Sequence, residues 1–236
     1  MIIAAVSDVH SPRKYEEFLS ALERLKSRPD LFIMAGDMVH RGDVAEYEKI
    51  YNSLFGKITC PIVACFGNNE YSQLRDDVAK KFRDIKFLDD SSTILNIGGF
   101  SVGIFGTTGS LDTPTPWQRA NVPTIEKIFQ HRLLQTDYQL GRMDADFKIF
   151  ITHYSPTYKT LAGENPRFYS SLGSEAYESV LLKRKPNLVI HGHSHRGSKF
   201  SWIESIPVFN VCFSINKEIV MIDTEKDLKP GISKFF

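Results

Sequence analysis

Residues 189–195, VIHGHSH, run from an apolar strand-like stretch into three histidines at alternate positions, His191, His193 and His195. The chain holds only 7 histidines, so their crowding here needs a cause. A metal site supplies one, because neutral imidazole is the commonest metal ligand. That reading makes a demand on the rest of the chain. Further oxygen and nitrogen ligands must stand at the ends of other strands, and those ends must lie side by side. A mainly parallel sheet arranges strand ends in this way.

Working outward, the apolar runs do recur with helical stretches between them. IIAAV (2–6) is followed by a helical pattern over 11–27, with Ser11 as cap, Pro12 at the first helical position, and Tyr15, Phe18, Leu22 and Leu25 on one face. DLFIMAG (30–36) reads as a second strand. Asp43 opens the next helix, where Tyr47, Ile50, Tyr51 and Leu54 form the apolar stripe. PIVACFG (61–67) and the helical 71–84 complete a β-α-β-α-β-α order, which predicts a mainly parallel sheet with right-handed crossovers. Residues 92–106 read as two short strands joined at Gly98-Gly99. Residues 107–122, rich in Thr, Pro and Gly, read as a long loop or lid. Helix 124–140, strand 147–153, helix 174–185 and strand 187–193 follow, and 207–227 reads as two antiparallel strands.

Each central strand runs into polar residues suited to a metal. The first ends in Ser-Asp8-Val-His10, the second in Gly36-Asp37, the third in Gly67-Asn68-Asn69-Glu70, and a later one in His153. In open α/β sheets, ligands bind beyond the carboxyl ends of the strands. Taken singly, Asp8 reads equally well as a helix cap, Asp37 as a turn residue and His153 as a core histidine. Five such endings in one chain favour the ligand reading.

Asp8-x-His10, Gly36-Asp37, Gly67-Asn68-Asn69-Glu70, His153 and Gly192-His193-Ser194-His195 occur in the order and approximate spacing of the calcineurin-like metallophosphoesterases, which this chain resembles over residues 2–223. The resemblance implies an α/β fold, a four-layer α/β/β/α sandwich with two mixed central sheets, as one domain over 1–236. It implies two divalent metal ions: manganese first, with iron, zinc or nickel also suited to this donor set. One ion would be held by Asp8, His10, Asp37 and His195. The other would be held by Asp37, Asn68, His153 and His193, with Asp37 bridging. His191 precedes the Gly192 turn and reads as packed at the strand end. The reaction implied is hydrolysis of a small-molecule phosphate ester, a diester before a monoester, through in-line attack by a hydroxide shared between the ions.

One block departs from the family pattern. Asn69 stands where the family usually has histidine, commonly assigned as the general acid. Asparagine can donate a hydrogen bond to phosphate but delivers no proton at neutral pH, and general acid catalysis typically supplies about 10²–10⁴-fold. His40, in GDMVHRG (36–42), is the substitute candidate, and Arg41 is the candidate phosphate contact. Two alternatives remain open: a metal-binding scaffold without catalysis, as in retromer-subunit-like members, and a DNA-repair-type nuclease.

Bulk properties agree with an ordinary globular enzyme. The 236 residues are 42% hydrophobic and 24% charged, with a net charge of +1 that gives no footprint for nucleic acid. No apolar run nears the roughly 18 residues of a membrane span. MIIAAVSDVH lacks a signal peptide's basic start, and Cys60, Cys65 and Cys212 read as buried thiols in a cytoplasmic protein. A homodimer is compatible with all of this.

Overall fold

The computed structural model describes residues 1–25 and 27–229; residue 26 and residues 230–236 of the expected 1–236 domain lie outside it. The first sheet holds β1 (Ile2–Val6), β2 (Leu31–Ala35), β3 (Ile62–Cys65) and β4 (Ile85–Leu88), all parallel. A late strand, Val220–Asp223, joins antiparallel on the free edge of β1. The second sheet takes its strands in the order β5 (Ser91–Ile97), β6 (Phe100–Thr107), β7 (Phe147–Thr152), β8 (Leu188–His191), β10 (Ile206–Asn210) and β9 (Phe200–Ile203). Its middle, β6-β7-β8-β10, is parallel, with antiparallel strands at both edges. The Val220–Asp223 strand is β11.

The two sheets face each other. Ile3, Ala5, Ile33 and Val63 of the first pack against Val102, Ile104, Ile149 and Ile190 of the second. The intervening residues of β1 and β2, Ala4, Val6, Phe32 and Met34, point the other way. They meet Phe18 and Leu22 of α1 (Tyr15–Glu23), Tyr47 and Ile50 of α2 (Val44–Leu54), and Val78 of α3 (Ser72–Lys81). On the far side Phe105, Phe150 and Val189 meet Leu140 of α5 (Ile125–Arg142) and Tyr177 and Leu181 of α6 (Ala176–Arg184). Each central strand is therefore buried on both faces, which is why it reads as a continuous apolar run rather than an alternating one. The layers are helix, sheet, sheet, helix, as the resemblance implied.

Local expectations fared unevenly. Asp43 caps α2 through the N–H groups of Ala45 and Glu46. Ser11 does not cap α1: its hydroxyl donates to the buried Glu46 carboxylate at 2.6 Å, and the helix begins at Tyr15 without a side-chain cap. β4 and β9 were not expected, because a polar residue, Lys86 or Ser201, interrupts each short run. The 107–122 stretch contains α4 (Pro116–Asn121), closed by a Thr115/Gln118 capping box. The tail forms two strands, but β10 and β11 belong to different sheets, separated by α7 (Phe213–Asn216). Cys65 and Cys212 are buried, whereas Cys60 is only half-buried.

Candidate metal centre

The expected site residues come from both sheets and meet at the seam between them. Asp8 and His10 follow β1, Asp37 follows β2 and Asn68 follows β3, while His153 follows β7 and His193 and His195 follow β8. The seam is stitched here by backbone. Ser7 donates its N–H to the Val211 carbonyl and accepts at its own carbonyl from Phe213. Four of these residues have positive φ: Asp8 (58°), His10 (49°), Asp37 (53°) and His193 (66°). These left-handed turns carry side chains across the strand ends. Glycines supply the clearance. A Cβ on Gly67 would stand 2.1 Å from Asp37 Oδ1, and one on Gly192 would stand 2.5 Å from Asp8 Oδ2.

Asp8 is fully buried. Its Oδ2 accepts from the Ser7 hydroxyl at 2.6 Å and from the His193 N–H at 2.8 Å. Its Oδ1 has no donor, and His195 Nε2 and His10 Nε2 stand 3.3 and 3.6 Å away. Asp37 Oδ2 lies between two rings, 3.7 Å from His10 Nε2 and 3.5 Å from His153 Nε2. His153 Nδ1 donates to the Ala35 carbonyl at 3.0 Å, which turns Nε2 inward, 3.1 Å from Asn68 Oδ1. His195 Nδ1 is held 2.8 Å from the Ser214 hydroxyl, which also receives the Lys14 ammonium. Hydrogen-bonding the outer nitrogen is how a protein orients an imidazole for a metal. The His193 ring lies 5.0 Å from that of His153. Ligand atoms of Asp8, His10 and His195 fall within 4.8 Å of one another, as do those of Asp8, Asp37 and His153.

The residues fit divalent cations. An acceptor buried without a donor is destabilising by roughly 1–3 kcal/mol, and Asp8 Oδ1 is one such atom at the centre of the cluster. The charges point the same way. Burial opposes ionisation of Asp8, but the His10 and His195 rings beside it hold it well below the ordinary carboxylate range. Burial likewise opposes Asp37, and the charge on His153 brings it down. Burial pulls His153 down too, yet Asp37 and Asp8 push it up to about 9. Removal from water and the His153 charge push His193 down to about 3. Two buried carboxylates here thus favour positive charge beside them.

The ring of supports is less legible in the sequence. Glu70 does not cap the next helix. It is buried, and its carboxylate accepts from the N–H groups of Asp37 at 2.8 Å, Met38 at 2.7 Å, Val39 at 3.3 Å and Gly67 at 2.7 Å. Burial and the Asp37 charge raise its pKa. Arg75 lies beneath, donating to the carbonyls of Glu70 and Gly67 and to Asp89. Asn69 donates its backbone N–H to Asp37 Oδ1 at 2.7 Å and its amide to Asp37 Oδ2 at 2.6 Å. Its side chain therefore meets Asp37, not open space. Only long-range signals could have found these contacts; a lone Glu after Asn-Asn carries none.

His191 is buried with Nδ1 2.8 Å from the Gly192 carbonyl, outside both ligand groups, and burial pushes it down to about 4. His40 stands edge-on to His10, ring centroids 6.1 Å apart, with its Nδ1 buried and unpartnered. Partial burial and the charges of Arg13 and Arg41 lower its pKa. Arg41 is exposed, with φ 53° and its N–H 3.3 Å from Asn69 Oδ1.

A family model for calcineurin-like phosphoesterases matches residues 1–197. A probable glycerophosphodiester phosphodiesterase of Arcobacter nitrofigilis is 23% identical over 244 residues, spanning 97% of this chain and 83% of that one. A probable cyclic nucleotide phosphodiesterase of Rhodopseudomonas palustris is 22% identical over 190 residues, spanning 79% of this chain and 65% of that one. Among solved structures, the phosphopantetheinyl hydrolase of Mycobacterium tuberculosis superposes with a TM-score of 0.69 at 16% identity, covering 97% of this chain and 98% of that one. At that identity the likeness speaks for the fold. With the family model matching most of its length, and with a carboxylate–imidazole cluster where such a family needs its metals, this chain belongs to the calcineurin-like phosphoesterases.

Proposed function

We propose that the chain is a dinuclear metal-dependent phosphodiesterase acting on small or nucleotide-like phosphate esters, working as a single cytoplasmic domain. The observation that carries this is the donorless Asp8 Oδ1 among inward-facing imidazoles, beside an Asp37 oxygen within 3.7 Å of His10 Nε2 and 3.5 Å of His153 Nε2. One cation would be held by Asp8, His10, Asp37 and His195, the other by Asp37, Asn68, His153 and His193. Manganese suits these oxygen and nitrogen donors, and iron, zinc and nickel share the preference. When bound, the pair lowers the pKa of water toward about 7 and neutralises charge on the phosphate.

The remaining work falls to side chains. Arg41, at the rim, is the proposed contact for a phosphate oxygen. Asn69 holds both Asp37 oxygens, so its proposed role is to fix the shared carboxylate. His40 is the proposed proton donor to the departing oxygen. Burial and the charges of Arg13 and Arg41 lower its pKa, which disfavours the protonated form that this role needs. Esters whose leaving groups need little protonation are then favoured, and diesters over monoesters, which carry more negative charge. The diesterase names of the two relatives agree with this.

The test is a metal-supplemented screen of phosphomonoesters, phosphodiesters and cyclic nucleotides on purified protein. Aryl diesters with manganese are the expected best substrates. No turnover with any metal on any class would replace the enzyme with a metal-binding scaffold.

A further inference from the structure

Beside the metal centre lies an open cleft of about 310 Å³. Asn68 and His193 form its inner end, and Tyr71, Trp117, Gln118 and Tyr154 form its walls. It continues into a larger cleft of about 560 Å³ that shares Asn68, Tyr71, Trp117, Gln118 and Tyr154. No Asp, Glu, Lys or Arg lines the inner cleft. The charged residues of the outer one are engaged elsewhere: Glu70 with backbone N–H groups, Arg75 with Asp89 and two carbonyls, and Arg132 with Asp90 and the Gly109 carbonyl.

Trp117 and Tyr71 present their rings to solvent, whereas Tyr154 is buried against Phe129 and the His193 ring. Trp117 is 64% exposed and Tyr71 37%, and neither ring contacts another aromatic among the described residues. Trp117 rides on α4, which is held stiffly. Thr115 and Gln118 close the capping box, and the Gln118 amide donates to the Tyr154 hydroxyl at 3.0 Å. Tyr154 follows His153 in the chain, so α4 is tied to the metal centre itself. Gln118 is engaged in these bonds, and Trp117 and Tyr71 are the large exposed side chains that a ligand entering the cleft meets.

We infer that this cleft binds a planar, uncharged aromatic group of nucleobase size on the ester, stacked on Trp117 beside Tyr71. The inference rests on the phosphoesterase reading for where the phosphate lies. A cationic headgroup fits worse, because no carboxylate is free to meet it and two metal cations would repel it. An alkyl group would leave the ring faces unused.

The chain's two tryptophans make the test direct, because Trp202→Phe leaves Trp117 as the only indole. Trp202 sits on β9, the far edge strand of the second sheet. In the zinc-loaded Trp202→Phe protein, adenosine 5′-monophosphate should quench Trp117 emission and bind about tenfold tighter than ribose 5-phosphate, the usual scale of one base–aromatic stack. Trp117→Ala should lower the preference for a nucleoside diester over a ring-free alkyl diester, as a ratio of kcat/KM, by about tenfold, and Trp117→Phe should restore part of it. Unchanged emission, equal binding of the two probes, or an unaltered ratio in Trp117→Ala would overturn the inference. Quenching by the nucleotide in a protein that hydrolyses no ester would support the cleft and defeat the phosphoesterase reading alone.

Discussion

Two of the proposed ligands on either side of Asp37 differ in their access to water. The inner ring, His153, is 0% exposed, held by a backbone carbonyl, and pushed up to a pKa of about 9 by two carboxylates. The outer ring, His195, is 39% exposed and is held by the Ser214 hydroxyl, which a flexible lysine shares. The inner ring is shaped before any cation arrives, whereas the outer one is reached by solvent and by competing ligands. The contrast belongs to the two rings and not to the whole proposed sets, because Asn68 and His193 line the open cleft and Asp8 is fully buried.

The most severe way to break this comparison is to remove what the sets share. Asp37→Ala should reduce metal content from two equivalents to below one and cut turnover by at least about 10³-fold, the loss of several kcal/mol of charge stabilisation. Elemental analysis and steady-state rates check it, and wild-type metal content would refute the sharing. Next come the separate halves. His153→Ala and His195→Ala should each cost one equivalent of metal with the fold intact. Loss of the preformed His153 ring should lower metal affinity more than loss of the solvent-reached His195 ring, as followed by chelator competition. Equal losses in the two variants would erase the asymmetry.

A subtler probe is pH. The folded-state pKa of His153, about 9, lies above its ordinary value near 6.5. Its pairing with Asp37 thus contributes stability fully below about pH 6.5, and that contribution is lost as pH rises through 9. A cation must displace that proton, so inner-site affinity should rise about tenfold per pH unit toward pH 9. Competition titrations at pH 6, 7 and 8 measure it; a flat profile would place His153 outside the site. Glu70→Gln comes next. One acceptor oxygen must then serve where two served four N–H groups, so metal affinity should fall about tenfold, the low end for such supports. Unchanged affinity would show that the Asp37 turn holds itself. The smallest effect is expected from Asn69→His. A positioned imidazole can speed poor leaving groups, but the same change removes a donor from Asp37. A net gain of no more than about tenfold is expected, seen as a shallower dependence of rate on leaving-group pKa. An unaltered slope would mean that position 69 never faces the leaving oxygen.

The sequence showed the residues that end strands and little of what holds them. Asp8, Asp37, His153 and His193 were visible because each follows an apolar run, a local signal. The alternation of strands and helices was legible for the same reason, since doubly buried strands are unbroken runs, whereas the four-layer arrangement came from the family resemblance. The role of Glu70 was not legible because its partners lie 31–33 positions away, except for Gly67. Asn69 was read as facing the substrate, whereas its amide meets Asp37 across 32 positions. β4 (IKFL) and β9 (FSWI) were missed because a polar residue interrupts each, unlike the apolar runs of the equally short β3 and β8.

The left-handed turns at Asp8, His10, Asp37, Arg41 and His193 have a thermodynamic consequence. A non-glycine residue in that region gives up roughly 1 kcal/mol against its relaxed conformations. Five together approach the lower end of the entire net stability of a domain, about 5–15 kcal/mol. A selection for heat resistance alone would replace these residues one by one with glycine, and each success would remove a side chain from the cluster. The site is therefore held at a cost in stability, and surplus stability in the surrounding sheets is a precondition for its persistence.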